Sequence, residues 1–158
     1  MVSFDAAKEG CIYIDGFNLI ICLEVALSGN ILILGKDNVL RDLAGLRGTY
    51  RLIEQTDTDL KIIGLTLNKL HVPAVKFYLD SPVSNSGRLK SKILESSVKW
   101  AIPVEVELVP NPDSLLSTMD RIVTGDSIIL DKCNSWFNLS NLIVKDFIDK
   151  PWIVDLNR

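Results

Sequence analysis

The sequence is poor in the residues from which many small catalytic sites are built. It has one histidine, His71, and three cysteines, Cys11, Cys22 and Cys133. A single histidine excludes a multi-histidine metal centre and leaves little room for a Ser-His-Asp arrangement. Three scattered cysteines are too few for a disulfide framework or a zinc ribbon. Cys11 and Cys22 stand among apolar neighbours and read as small core residues. No apolar run reaches the roughly 18 residues of a membrane span, because Glu24 and Asn30 interrupt the best candidate. There is no surplus of positive charge either. Lys and Arg number 17 against 20 Asp and Glu, a net charge of −3, so the basic footprint usual in nucleic-acid binders is missing. The first ten residues, with Asp5, Lys8 and Glu9, do not read as a secretory leader. A cytoplasmic protein without a membrane partner is therefore expected.

What is present is apolar character in segments of regular length. At 158 residues and 47% apolar composition, the chain is expected to form one domain over 1–158 with a sizeable core, residues 1–10 being a lightly packed or mobile start. A strand is expected over 11–15 and a helix over 17–27 that is apolar nearly all round. Residues 31–34 and 39–40 flank Gly35-Lys36-Asp37-Asn38 as a β-hairpin. Apolar positions 43, 46, 50 and 53 have helical spacing, interrupted by Gly45 and Gly48. A long helix follows over 52–70 with a fault near 56–59, then a strand over 74–79 and a helix over 88–100. A strand over 102–109, with Glu105 and Glu107 alternating, suits a sheet edge. A short helix over 113–119, a strand over 121–124, a helix over 136–148 and a strand over 152–156 complete the series. This order predicts a three-layer α/β/α sandwich with a mostly parallel central sheet and a small β-hairpin insertion.

Three of the predicted strands end on an aspartate: Asp15, Asp80 and Asp126. Open α/β sheets bind ligands outside the C-terminal ends of their strands. Carboxylates crowded at one such edge repel unless protonated or bridged by a cation. Mg²⁺ or Mn²⁺ suits an oxygen-only site that keeps several waters. Such an ion can activate water for attack on a phosphodiester. Asn18 could orient a water or phosphate there, and Thr124 and Ser127 place hydroxyls beside Asp126. The competing reading makes each of the three aspartates the N-cap of the helix that follows it. Glu24, alone in an apolar helix, requires a partner, a cation or a place at the rim. Arg88, Lys90 and Lys92 open a helix whose dipole opposes them, which favours an anion nearby. The hydroxyl-rich loop with Ser84 and Ser86 precedes them. Arg41 and Arg47 serve either phosphate contact or surface ion pairs.

The segment Tyr13-Ile14-Asp15-Gly16-Phe17-Asn18-Leu19 resembles the opening motif of the PIN-like nucleases, in particular their NYN branch, where a strand ends in Asp-Gly-Tyr/Phe-Asn. Val123-Thr124-Gly125-Asp126-Ser127 resembles that superfamily's late Thr/Ser-x-Asp motif, and Asp80 matches the place of a middle acid. The likeness spans about 11–156 and looks closest to the small stand-alone PIN-like proteins. It implies a Mg²⁺- or Mn²⁺-dependent nuclease acting on RNA, an endoribonuclease, with Asp15, Asp80, Asp126 and Asn18 as the catalytic set. It further implies a helix acid that Glu24 or Asp42 could supply. The superfamily's second late acid falls on Ile128, with Asp131 the nearest substitute. Arg41, Arg47, Ser84, Ser86, Arg88, Lys90, Thr124 and Ser127 would then face the RNA. Other readings are an inactive PIN-like module that binds RNA or protein, and a hydrolase of small phosphoesters. A haloacid-dehalogenase phosphatase is disfavoured, because Phe17 stands where that family needs an aspartate. A homo-oligomer is compatible with the sequence.

Overall fold

A computed structural model describes residues 1–43 and 50–157. Its element order is a 3-10 helix at Phe4–Glu9, β1 Ile12–Asp15, α1 Gly16–Leu27, β2 Leu32–Leu34, β3 Leu40–Asp42, α2 Glu54–Lys69, β4 Val75–Asp80, α3 Ser86–Ser97, β5 Val104–Val109, α4 Pro112–Leu116, β6 Ile122–Val123, α5 Ser127–Lys132, α6 Leu139–Phe147 and β7 Ile153–Asp155. The protein is α/β. Its main sheet has the order β5-β4-β1-β6 and a second sheet the order β3-β2-β7. All pairings in the main sheet are parallel, with Asp15 opposite Tyr78, Ile14 opposite Val123 and Asp80 opposite Val109. In the small sheet β2 pairs antiparallel with β3, as the hairpin pattern predicts, and parallel with β7.

Chemistry explains why the central strands are dominated by apolar residues. Ile12, Ile14, Val75, Phe77, Leu79, Ile122 and Val123 are all buried, as in a sheet covered on both faces. Burying one such side chain stabilises by roughly 1.5–3 kcal/mol. Helix α1 hides Phe17, Leu19, Ile20, Cys22, Leu23, Glu24 and Ala26 together. It contacts α2, α6 and β4, while α4 packs on β1, β4 and α5. Strand β5 is the edge that its alternating glutamates suggest, and Lys76 of β4 reaches Glu107 at 3.1 Å and Glu105 at 3.9 Å across the strands.

Three expectations are corrected. The first ten residues are anchored, not loosely packed: Arg121 donates to the carbonyls of Ala6, Ala7, Gly10 and Cys11, and Ala7 is fully buried. Helix α2 runs without a fault at 56–59, because Thr56 and Asp59 point into the protein. The segment starting at Arg41 is strand, not helix, through residue 42, and residues 50–53 of the same pattern form no helix either; residues 44–49, including Arg47, lie outside the described residues.

Helix α2 also meets a constraint that its sequence does not announce. A Cβ on Gly64 would collide with the indole of Trp100, which is nine-tenths buried. Gly64→Ala is expected to destabilise the protein by roughly 1–3 kcal/mol despite the better helix propensity of alanine, read as a lowered urea midpoint. An unchanged or raised midpoint would show that the indole moves aside freely.

Candidate functional site

Because the four strands of the main sheet run parallel, their C-terminal ends share one edge, and an aspartate follows each. Asp15 ends β1 and Asp80 ends β4. Asp113 stands in the first turn of α4, just beyond β5, and Asp126 caps α5 after β6. The small sheet contributes a fifth, Asp42, the last residue of β3. These five carboxylates line a single cleft of about 250 Å³ together with Phe17, Asn18, Ile21 and Pro112. Gly16 lets α1 start close against the neighbouring strand, since a Cβ there would lie 3.2 Å from the Tyr78 carbonyl oxygen.

The cleft gathers five carboxylates, and no Lys, Arg or His stands among its described lining residues. Burial, joined by Asp113, Asp126 and Asp80, pushes the Asp15 carboxyl up to about 7, against the Thr124 hydroxyl that donates to Asp15 Oδ2 at 2.8 Å. Burial also raises Asp80, whose Oδ1 is buried without a hydrogen-bond partner. Asp113 is raised by burial and by its neighbours Asp126 and Asp80. An orphaned buried carboxylate oxygen among like charges is costly unless the group is protonated or something positive occupies the space. Among the described residues no three acid, imidazole or thiol side chains are already gathered tightly enough to form a metal-binding group. The aspartates instead ring a space, and a ring of that kind suits an ion that keeps part of its water shell.

The structure distributes the other sequence candidates as follows. Asn18 lines the cleft, and its Oδ1 accepts from the Gly125 amide at 2.7 Å. Thr124 bridges, donating to Asp15 and accepting from the Asp126 amide at 3.1 Å. The capping alternative is realised only at Asp126, whose Oδ1 accepts from the amides of Ile128 and Ile129 at 2.8 and 3.3 Å; Asp15 makes no side-chain cap bond, and Asn85 occupies the cap position of α3. Of the two helix-acid candidates, Asp42 lines the cleft and Glu24 does not. Glu24 is buried against α2 and accepts from Tyr50 Oη at 2.6 Å and Thr56 Oγ1 at 2.8 Å, so hydroxyls, not a cation, answer its charge. Asp131 is exposed on α5 and is not part of the cleft lining, as is Ser127.

Arg41 is already engaged, with Asp37 and the Gly125 carbonyl. Ser84 bonds the backbone of Tyr50, and Ser86 donates to the Ser81 carbonyl. Arg88 is exposed and Lys90 half-buried at the start of α3, both outside the cleft lining. Asp113 escaped the sequence reading. Its signal was the same as that of the others, an acid shortly after the C-terminal end of a strand, but Asn111-Pro112 in front of it reads as a plain turn.

A family model described as "Domain of unknown function (DUF5616)" matches residues 4–142. An uncharacterized protein of Methanocaldococcus jannaschii, MJ0935, is 38% identical over 127 residues, covering 80% of this chain and 61% of the relative. The chain thus spans under two thirds of that relative's length. No solved structure matches.

Proposed function

The chain belongs to the DUF5616 family, and from its cleft we propose that it is a PIN-like, metal-dependent endoribonuclease with a three-layer α/β/α arrangement. The observation that carries the proposal is the buried, unpartnered Oδ1 of Asp80 in a cleft lined by Asp15, Asp42, Asp113 and Asp126. Mg²⁺ or Mn²⁺, held by Asp15, Asp80 and Asp126 with Asp42 or Asp113 completing the set, would lower the pKa of a bound water and neutralise charge on the phosphodiester. The chain's own contribution is orientation. Thr124 fixes one oxygen of Asp15, and the cap bonds of Asp126 hold its carboxylate toward the cleft while Oδ1 also serves the helix. Phe17, Ile21 and Pro112 supply the apolar part of the wall. Arg88 and Lys90, in the first turns of α3, would contact RNA beyond the cleft.

One observation favours a second reading, an RNA- or protein-binding module without catalysis. Ile128 is 62% exposed at the place where the PIN-like motif often carries its second late acid. Calorimetric titration with Mn²⁺ and cleavage of a generic single-stranded RNA separate the two. The expected result is Mn²⁺ binding by the wild type, and a loss of at least roughly a hundredfold in cleavage rate for Asp126→Asn. Asparagine caps a helix as well as aspartate, so this variant keeps α5 and changes only the charge. Mn²⁺ bound to neither wild type nor variant would sink the metal reading. Metal binding without RNA cleavage would favour the binding module.

A further inference from the structure

The turn that carries Asp126 is gripped from several directions. The Gly125 amide donates to Asn18 Oδ1 of α1, and its carbonyl accepts from Arg41 Nε at 2.6 Å. Arg41 is held in turn: Nη1 and Nη2 donate to Asp37 Oδ1 and Oδ2 at 3.0 and 2.7 Å. Asp37 Oδ1 also accepts from the Val39 amide at 3.1 Å, which closes the tip of the β2–β3 hairpin. Arg41 directly precedes Asp42 in β3. One side chain therefore links the strand that brings Asp42 to the cleft with the turn that brings Asp126.

We propose that Arg41, oriented by Asp37, is a positioning residue: a brace that sets the separation of Asp42 and Asp126 across the cleft and thereby its affinity for a divalent cation. This rests on the metal reading of the cleft. The guanidinium is matched to the task because it serves a carbonyl and a carboxylate at once in a fixed plane, which the single nitrogen of lysine cannot do. Three of its five N–H donors, one on each nitrogen, are already taken by the protein, which limits bidentate contact with phosphate. The Arg41–Asp37 pair is partly exposed, at 30% and 39%, and such pairs add little to global stability. The fold should survive its loss while the local geometry does not.

The test compares wild type, Arg41→Lys and Arg41→Ala by Mn²⁺ titration, by kinetics on single-stranded RNA and by amide hydrogen exchange without metal. Both variants are expected to bind Mn²⁺ about 10–100-fold more weakly, the usual effect of removing a group that orients ligands. They should lower kcat and leave KM for RNA unchanged. In the metal-free protein, the amides of 125–129 should exchange about tenfold faster while those of β4 keep their protection. Unchanged exchange at 125–129 would overturn the brace. So would a raised KM restored by Arg41→Lys with Mn²⁺ affinity intact, which would make Arg41 a phosphate contact. Wild type that binds no Mn²⁺ defeats the metal reading and the affinity role with it, whereas exchange at 125–129 still decides the brace by itself.

Discussion

Asp59→Asn is expected to make the protein more stable, by an amount that grows with pH. Asp59 lies fully buried in α2, and neither of its oxygens meets a hydrogen-bond donor. Burial pushes its carboxyl up to about 9, and the facing Glu24 carboxylate pushes in the same direction. Around the pair are the Tyr50 and Thr56 hydroxyls, both bonded to Glu24 Oε1. The arrangement is satisfied when Asp59 keeps its proton and offers it to Glu24. The sign follows from linkage. The folded pKa lies above the ordinary 3.8, so the folded protein holds an extra proton over the interval between them, and stability falls as pH rises from about 4 to about 9. An asparagine amide donates to Glu24 at every pH. We expect thermal midpoints of wild type and Asp59→Asn to coincide near pH 4. They should diverge steadily above it, by up to about 1.36 kcal/mol of stability for each pH unit, and by pH 9 by at least the roughly 1–3 kcal/mol of a buried polar group without a partner. Parallel curves across pH 6–9 would show that Asp59 carries no such proton.

Asp15→Asn should give the second large effect, and it separates stability from function. Asp15 titrates at about 7 in the folded protein. Its contribution is therefore present below about pH 4 and lost as pH rises through 7. Charged Asp15 costs the metal-free wild type up to roughly 4 kcal/mol at pH 8, by the 1.36 kcal/mol that one pKa unit represents. An asparagine oxygen can still accept from Thr124. The variant is thus expected to melt higher than wild type at pH 8 by about 5–15 °C, with the gap closing toward pH 4. Mn²⁺ should narrow the gap. It stabilises only a protein that binds it, by roughly 2.7 kcal/mol at a hundredfold excess over Kd, so wild type should gain and Asp15→Asn should not. A variant less stable than wild type without metal would mean that the cleft carboxylates do not oppose one another. Equal Mn²⁺ stabilisation of both would remove Asp15 from the metal site.

Both predictions concern acids, yet only one of the two positions was visible in the chain. Asp15 interrupts a run of buried β residues at a strand end, and that break is local. Asp59 sits beside Asp57 and Thr58 in a polar stretch that looks like the solvent face of a helix, or a fault in one. Its burial depends on Glu24, 35 positions away, and on Tyr50 arriving between the two helices. The same holds for Glu24. An isolated acid in an apolar helix demands a partner, but nothing near it in sequence says whether that partner is a cation or two hydroxyls.

Sequence alone determined the strand ends. Buried parallel strands are apolar on both faces, so Asp15, Asp80 and the Thr124-Gly125-Asp126 turn stand out where such runs stop, and parallel connections send all of them to one edge. The edge position of β5 was legible for the same reason, in its alternating glutamates. Tertiary structure alone decided what depends on pairing across distance. Strand β7 joins β2 across about 120 residues, residues 41 and 42 take β structure because β2 lies beside them, and Asp113 reaches the cleft only because β5 ends beside β4. The role of Arg41 is of this kind too. A guanidinium in a sequence announces a need for oxygen partners, and only the fold could supply the carbonyl of Gly125, 84 positions further along the chain.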